Sequence, residues 1–277
     1  MTRIAICAPA TPITREHADA LRTLVAEEFP QHRVCFHEQC FEQLGHFAGA
    51  DVVRMQALVD SANDDSFDAV WFAKGGYGSN RIAEQAIAQF NDAARRKSYV
   101  GFSDCGYVLG ALYRHGIGQS VHGSMPVSAR SEHGREAVRR VLRWFAGDLS
   151  GVEPGLDERP VAAFNLITLA MMIGTPLMPN LKDHVVIVEE VSEHLYAIDR
   201  IFFHLMPNLA AQGIAGLRLG AITDVPENDR PFGQEPEDIA RFWCARAGVD
   251  YLGRAEVGHT AENRIVPFGL ARSPLRS

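Results

Sequence analysis

The sequence predicts an α/β protein in which an N-terminal parallel sheet with flanking helices is followed by a smaller mixed α/β C-terminal domain. Short apolar runs alternate with amphipathic segments through the first half, the pattern of a parallel sheet covered by helices. A segment rich in turn formers, residues 147–155, then interrupts the alternation. The length of 277 residues is enough for two ordinary domains.

The first half supplies four strand–helix pairs. Thr14 opens the first helix with Glu16 in its first turn, and the second helix places its apolar residues on one face. The third strand is an apolar run that ends before a glycine pair. The predicted strands are Arg3–Ala8, Arg33–His37, Phe67–Phe72 and Ser98–Gly101, and the predicted helices are Thr14–Glu28, Asp51–Ala62, Ser79–Asn91 and Cys105–His115.

The second half continues the alternation after a basic helix, Arg135–Phe145. It contains the predicted helices Asn165–Ile173, Ala197–Ala211 and Pro236–Arg246, and the predicted strands His184–Val188 and Leu217–Ile222. We therefore place an N-terminal domain at 1–148, a linker at 149–160 and a C-terminal domain at 161–277.

Composition excludes several classes of protein. The net charge is −7 and basic residues are scattered, so no nucleic-acid partner is expected. No run approaches the ~18 apolar residues of a membrane span, so no membrane partner is expected. The five cysteines form no C-x-x-C pair, which favours a reducing, cytoplasmic compartment over disulfides or zinc.

Ser103 lies in the most informative segment, Tyr99–Asp104. A strand that turns sharply into a helix at a serine is typical of a nucleophile elbow, but the usual glycine two residues later is Cys105. A serine that merely caps a helix would give the same pattern.

Gly75 and Gly76 follow another predicted strand, so their loop and Ser103 lie at the same edge of the sheet. Consecutive glycines can present backbone N–H groups to a phosphate or an oxyanion. The loop lacks the spacing of nucleotide-binding motifs, and a tight turn needing positive φ explains it equally well.

Acids and a histidine stand out in the second half. An apolar run ends in Glu189 and Glu190, where a carboxylate could orient a histidine, although ordinary loop acids fit as well. His259 follows a glycine in a polar loop near the C-terminus.

Taken in order, these segments resemble the LD-carboxypeptidases, a serine peptidase family that includes muramoyl-tetrapeptide carboxypeptidases and microcin-C immunity peptidases. The resemblance runs from about residue 3 to residue 269. It is carried by Lys74-Gly-Gly-Tyr-Gly, Gly101-Phe-Ser-Asp104, His122-Gly123, Asn165-Leu166, Gly174-Thr-Pro176, Glu189-Glu-Val-Ser-Glu193, Tyr196-Ala-Ile-Asp-Arg200 and Gly258-His259.

The chain departs from the family pattern at several positions. Lys74 replaces an arginine, Cys105-Gly106 replaces an aliphatic residue and threonine, and Ala163-Phe164 replaces a glycine pair. Ser124 follows His122-Gly123 where proline is more common. These changes bear on substrate preference more than on chemistry.

The resemblance implies a catalytic triad at the domain interface: Ser103 as nucleophile, His259 as general base and Glu189 as the orienting acid, with Glu190 as the alternative. It also implies an oxyanion hole from the backbone N–H of Asp104 and of Gly75 or Gly76. Arg81 and Asn165 are the candidate substrate-binding side chains, and Arg200 is a further candidate.

The implied reaction releases a C-terminal D-alanine from a murein tetrapeptide in cytoplasmic cell-wall recycling, without metal or cofactor, in a protein that is commonly a homodimer. Three alternatives stay open: a microcin-C-type peptide–nucleotide hydrolase, a non-catalytic ligand-binding homologue, and a nucleotide-dependent enzyme using Lys74–Gly76 as a phosphate loop.

Overall fold

The computed structural model describes residues 1–270, so residues 271–277 of the predicted C-terminal domain lie outside the described part. Helices and strands alternate along almost the whole chain. In chain order they are β1 (Thr2–Cys7), α1 (Arg15–Glu28), β2 (His32–Phe36), α2 (Asp51–Asn63), β3 (Ala69–Phe72), α3 (Ala83–Ile87), β4 (Ser98–Gly101), α4 (Gly106–Arg114), β5 (Gln119–His122), α5 (Glu132–Phe145), β6 (Val161–Asn165), α6 (Leu166–Met172), β7 (Val185–Val191), α7 (Leu195–Gln212), β8 (Gly216–Thr223), α8 (Pro236–Ala247), β9 (Tyr251–Arg254) and β10 (Val266–Pro267).

Two sheets organise the molecule, which confirms the predicted fold class. The first has the strand order β10-β5-β4-β3-β1-β2, and all its neighbours are parallel except the β10–β5 pair. The second has the order β6-β7-β8-β9 and is parallel throughout. In both sheets, loops that follow the strands therefore gather at one edge.

The C-terminal part of the chain returns to the first sheet. Val266 of β10 pairs antiparallel with His122 of β5. The segment 149–160 is also tied into the fold, because the buried Glu153 forms an ion pair with Arg218 at 2.8 Å. Two stretches of chain thus join the first sheet to the second.

A continuous apolar core joins the two sheets. It includes Phe72 and Val108 from the first half together with Phe164, Val186 and Leu205 from the second. Packing across the two halves fixes their relative position, which matters because the candidate site draws on both.

The predicted helix Ser79–Asn91 is shorter than expected. A 3₁₀ turn covers Ser79–Arg81, and α3 ends at Ile87. The side chain of Asn63 binds the carbonyl of Gln89 and the N–H of Asn91, so it satisfies backbone groups that a longer helix would have used.

No helix among residues 1–270 combines the length and apolar character needed to cross a membrane.

Candidate active site

Ser103 stands at a sharp turn between a strand and a helix. β4 ends at Gly101, a 3₁₀ turn covers Ser103–Cys105, and α4 begins at Gly106. Ser103 has a φ of +58°, an unusual value for a residue with a side chain. The residue is half-buried, whereas its two chain neighbours are buried. Such a conformation raises one hydroxyl above the end of the sheet, as a nucleophile elbow does.

The glycine-rich loop lies directly against this serine. A Cβ built on Gly75 would be 3.1 Å from the Ser103 hydroxyl oxygen, closer than a side chain normally tolerates. Gly76 has a φ of +103° and Gly78 a φ of +130°, values that favour glycine. The glycines therefore allow the loop both to turn and to approach the nucleophile.

Asp104 fixes the glycine-rich loop to the elbow through its side chain. One carboxylate oxygen accepts a hydrogen bond from the N–H of Gly78 at 3.1 Å and the other from the N–H of Ser79 at 2.9 Å. Burial raises the pKa of Asp104, although these hydrogen bonds oppose the shift. The sequence reasoning considered only the backbone N–H of this residue and missed the role of its carboxylate.

Glu189 and His259 form the second half of the site. His259 Nδ1 lies 2.7 Å from Glu189 Oε2, and the Glu189 side chain is fully buried. A carboxylate can only accept a hydrogen bond, so Nδ1 carries the proton and Nε2 of the neutral ring can take one. Burial disfavours protonation of the ring, but the hydrogen bond and charge of Glu189 outweigh it and raise the pKa of His259.

Glu190 makes entirely different contacts. Its carboxylate accepts hydrogen bonds from Asn165 Nδ2 at 2.7 Å and from the N–H groups of Ile167 and Val191 at 2.9 Å. Burial raises its pKa, with these hydrogen bonds opposing the shift. Of the two adjacent acids, Glu189 contacts the histidine, while Glu190 fixes the start of α6.

A buried pair of polar side chains holds the loop that carries His259. Asn263 Oδ1 accepts a hydrogen bond from the N–H of Gly258 at 3.0 Å and lies 2.9 Å from His122 Nε2. Burial lowers the pKa of His122, so its neutral ring donates to the amide oxygen. The sequence showed His122 only as part of a motif, and Asn263 only as one of several polar residues in the loop that carries His259.

The two halves of the site meet at Phe102. Its ring centroid lies 4.7 Å from that of His259, and Ser103 is the next residue along the chain. This contact brings the histidine loop beside the elbow. Among residues 1–270, no hydrogen bond joins the Ser103 hydroxyl to His259.

The candidate substrate-binding side chains already have partners within the protein. Arg81 forms an ion pair with Asp51 at 2.8 Å, and Asn165 caps α6 by accepting from the N–H of Thr168 at 3.1 Å. The exposed Arg200 lies over the ring of Tyr196. Contact of these side chains with a substrate stays a prediction.

Two departures from the family pattern face each other in the core. A Cβ on Gly106 would lie 3.1 Å from Thr168 Cγ2 and 3.5 Å from Phe164 Cδ1. The Cβ would thus be crowded by Thr168 and in ordinary van der Waals contact with Phe164, so a side chain larger than alanine at position 106 has little room on this side. Gly106 is the first residue of α4, which follows the elbow, and Phe164 lies in β6.

Comparison with known proteins adds independent findings. The model of the LD-carboxypeptidase N-terminal domain matches residues 4–123, and that of the LD-carboxypeptidase C-terminal domain matches residues 160–272. The murein tetrapeptide carboxypeptidase of Pseudomonas aeruginosa is 26% identical to this chain, covering 96% of the chain and 91% of that protein.

Solved structures share the fold. The muramoyltetrapeptide carboxypeptidase from Oxalobacter formigenes superposes with a TM-score of 0.78 at 23% identity, covering 99% of this chain and 96% of that one. The microcin C7 self-immunity protein MccF superposes with a TM-score of 0.77 at 16% identity, covering 97% and 91%. At these identities the superpositions establish a common fold.

Proposed function

The chain belongs to the LD-carboxypeptidase family, and we propose that it is a serine carboxypeptidase acting on murein peptides. The proposed reaction hydrolyses an L,D-peptide bond and releases a C-terminal D-alanine from a murein tetrapeptide during cell-wall recycling. The observation that carries this proposal is the hydrogen bond between Glu189 and His259, in a loop whose histidine packs beside the Ser103 elbow.

In the proposed mechanism, Ser103 attacks the carbonyl carbon of the scissile bond. Nε2 of His259 takes the hydroxyl proton, and Glu189 holds the ring in the required tautomer and stabilises the imidazolium. His259 then gives the proton to the leaving amine, which departs as D-alanine. Water, activated by the same histidine, hydrolyses the acyl-enzyme and frees the tripeptide.

The negative charge of the tetrahedral intermediate needs donors near Ser103. We assign this role to the backbone N–H of Asp104 together with that of Gly75 or Gly76. The contact between Gly75 and Ser103 supports the assignment, since it places the loop beside the reacting oxygen. Removing one such donor typically costs a factor of about 10²–10³ in kcat.

Mass spectrometry of the tetrapeptide L-Ala-γ-D-Glu-meso-diaminopimelate-D-Ala tests the proposal. The wild type should remove one alanine, and Ser103→Ala should leave the peptide intact. If neither protein cleaves it, the murein assignment is wrong. Aminoacyl sulfamoyl nucleosides are then the next substrates, since structures of MccF hold glutamyl sulfamoyl guanosine and aspartyl sulfamoyl adenosine.

We further propose that the enzyme works in the cytoplasm as a homodimer. The unpaired state of its five cysteines is consistent with a reducing compartment. Light scattering coupled to size-exclusion chromatography tests the assembly: a mass of 30.5 kDa would identify a monomer and contradict the dimer.

A further inference from the structure

Thr11 is a buried hydroxyl residue that the mechanism above does not use. It lies in the loop between β1 and α1, at the same edge of the first sheet as the glycine-rich loop. Its side chain donates a hydrogen bond to the carbonyl oxygen of Gly75 at 2.5 Å. The residue is 6% exposed, so this bond is shielded from competing water.

This hydrogen bond determines how one peptide group is oriented. No peptide bond among the described residues is cis, so the Gly75 carbonyl and the Gly76 N–H point in opposite directions. With the carbonyl held by Thr11, the Gly76 N–H faces away from Thr11. Within residues 1–270, neither the Gly75 nor the Gly76 N–H donates a hydrogen bond. Gly76 is also exposed, whereas Gly75 is buried.

The peptide needs a fixed partner because both of its residues are glycines, whose backbone rotates freely. At the far end of the loop, Arg54 binds the carbonyl of Gly78 at 2.9 Å and Asp104 binds its N–H. Along Gly75–Tyr77, Thr11 is the one described side chain that hydrogen-bonds the backbone. Its methyl group also packs on Gly76, where an added Cβ would come within 2.5 Å.

We propose that Thr11 is a positioning residue for the oxyanion hole: its hydroxyl holds the Gly75–Gly76 peptide so that the Gly76 N–H binds the oxyanion beside Ser103. The inference rests on the proposed function, because an oxyanion forms only if Ser103 attacks a carbonyl. It also selects Gly76 over Gly75 as the donor.

The test compares Thr11→Val, which keeps the shape and removes the hydroxyl, with Thr11→Ser, which keeps the hydroxyl. Two rates are measured for each folded variant: turnover of the murein tetrapeptide and labelling of Ser103 by a fluorophosphonate, whose phosphoryl oxygen occupies the oxyanion position. Thr11→Val should lower kcat about 10²-fold or more, leave KM within about threefold, and slow labelling by a similar factor. Thr11→Ser should stay within about fivefold of the wild type in both assays.

The two assays separate this inference from the proposed substrate. If the wild type labels at Ser103 and Thr11→Val labels slowly, the inference holds even if no variant cleaves the tetrapeptide. If Thr11→Val turns over substrate and is labelled at the wild-type rates, the inference is wrong. It is also wrong if the loss of activity in Thr11→Val only follows a fall in Tm that Thr11→Ser shares. A wild type that neither labels nor cleaves would overturn both proposals.

Discussion

The two halves of the candidate site are built by different means. On the nucleophile side, Ser103, Asp104 and the glycine-rich loop all lie at one edge of the first sheet, and backbone N–H groups of the loop donate hydrogen bonds to the Asp104 carboxylate. On the base side, Glu189 and His259 are 70 residues apart in sequence and are joined by one bond between side chains.

This difference indicates what each half tolerates. Backbone groups persist through most substitutions, so the nucleophile side depends on a few glycines and on the residues that orient them. The base side depends on the exact identity of two side chains and on the packing that brings their loops together. We therefore expect single substitutions to damage the two halves in distinguishable ways.

The largest expected effect tests whether the halves act as one unit. Ser103→Ala and His259→Ala should each reduce kcat by about 10⁶, because neither group is useful without the other. The double variant should be no slower than either single one. Assays of D-alanine release, sampled at short and at long times, measure kcat of each variant. Circular dichroism checks that each variant is folded. A double variant much slower than both would show two independent contributions.

Within the base side, the two adjacent acids give a matched pair. Glu189→Gln should lower kcat by about 10⁴, because an amide no longer enforces the tautomer of His259. Glu190→Gln should leave kcat within about threefold and lower Tm, since its new NH₂ group can face the N–H donors of Ile167 and Val191. The opposite outcome would transfer the orienting role to Glu190.

The pH profile reports the charge of the base directly. His259 must be neutral to accept a proton, and its pKa is raised by Glu189 despite burial. The value of kcat/KM should therefore fall in acid, with a midpoint above the ordinary histidine value of about 6.5. In Glu189→Gln the residual activity should show a lower midpoint, because the stabilising anion is gone. A flat profile between pH 5 and pH 8 would contradict a histidine base.

The support of the histidine loop should matter less than the pair itself. Asn263→Ala removes the acceptor shared by the Gly258 N–H and His122, so His259 should be less well placed and kcat should drop about 10–100-fold. The control is Asn208→Ala, whose side chain only binds the carbonyl of His204 within its own helix. Steady-state kinetics of both variants test this expectation. Equal kcat values for Asn263→Ala and Asn208→Ala would show that the loop is held without Asn263.

The smallest effect on activity is expected where the halves pack together. Gly106→Thr should cost about 1–3 kcal/mol of stability by crowding Phe164 and Thr168, with kcat little changed. Phe164→Ala should cost about 3–5 kcal/mol alone. Urea unfolding of the double variant should show a loss of unfolding free energy smaller than the sum of the two single losses. Additive losses would show that the two positions do not compensate for each other.

The sequence predicted β1–β4 of the first sheet because these strands are short apolar runs flanked by recognisable turns. It missed β5, in which Gln119 and His122 interrupt the apolar pattern, and β10, which is only a two-residue strand. It also missed β6, since Ala162 and Ala163 give little strand signal and Asn165 marked the start of the next helix.

Some residues of the candidate site could likewise be found from the sequence, and others could not. The residues of the Ser103 elbow are consecutive in the sequence, so a local pattern is enough to find it. The partnership of Glu189 with His259 rested on the family resemblance, because nothing nearby in sequence distinguishes Glu189 from Glu190. The hydrogen bonds of Thr11 with Gly75 and of Asn263 with His122 join segments that are far apart in the sequence, which periodicity and turn chemistry do not encode.

The return of β10 to the first sheet has a consequence for biosynthesis. Chains grow from the N-terminus, and domains generally begin to fold in that order. The edge of β5 that β10 covers must stay open until residue 267 has left the ribosome, and His259 emerges only shortly before. The nascent protein thus carries an unpaired strand edge, a known starting point for aggregation, until the same late segment that covers it also delivers the histidine.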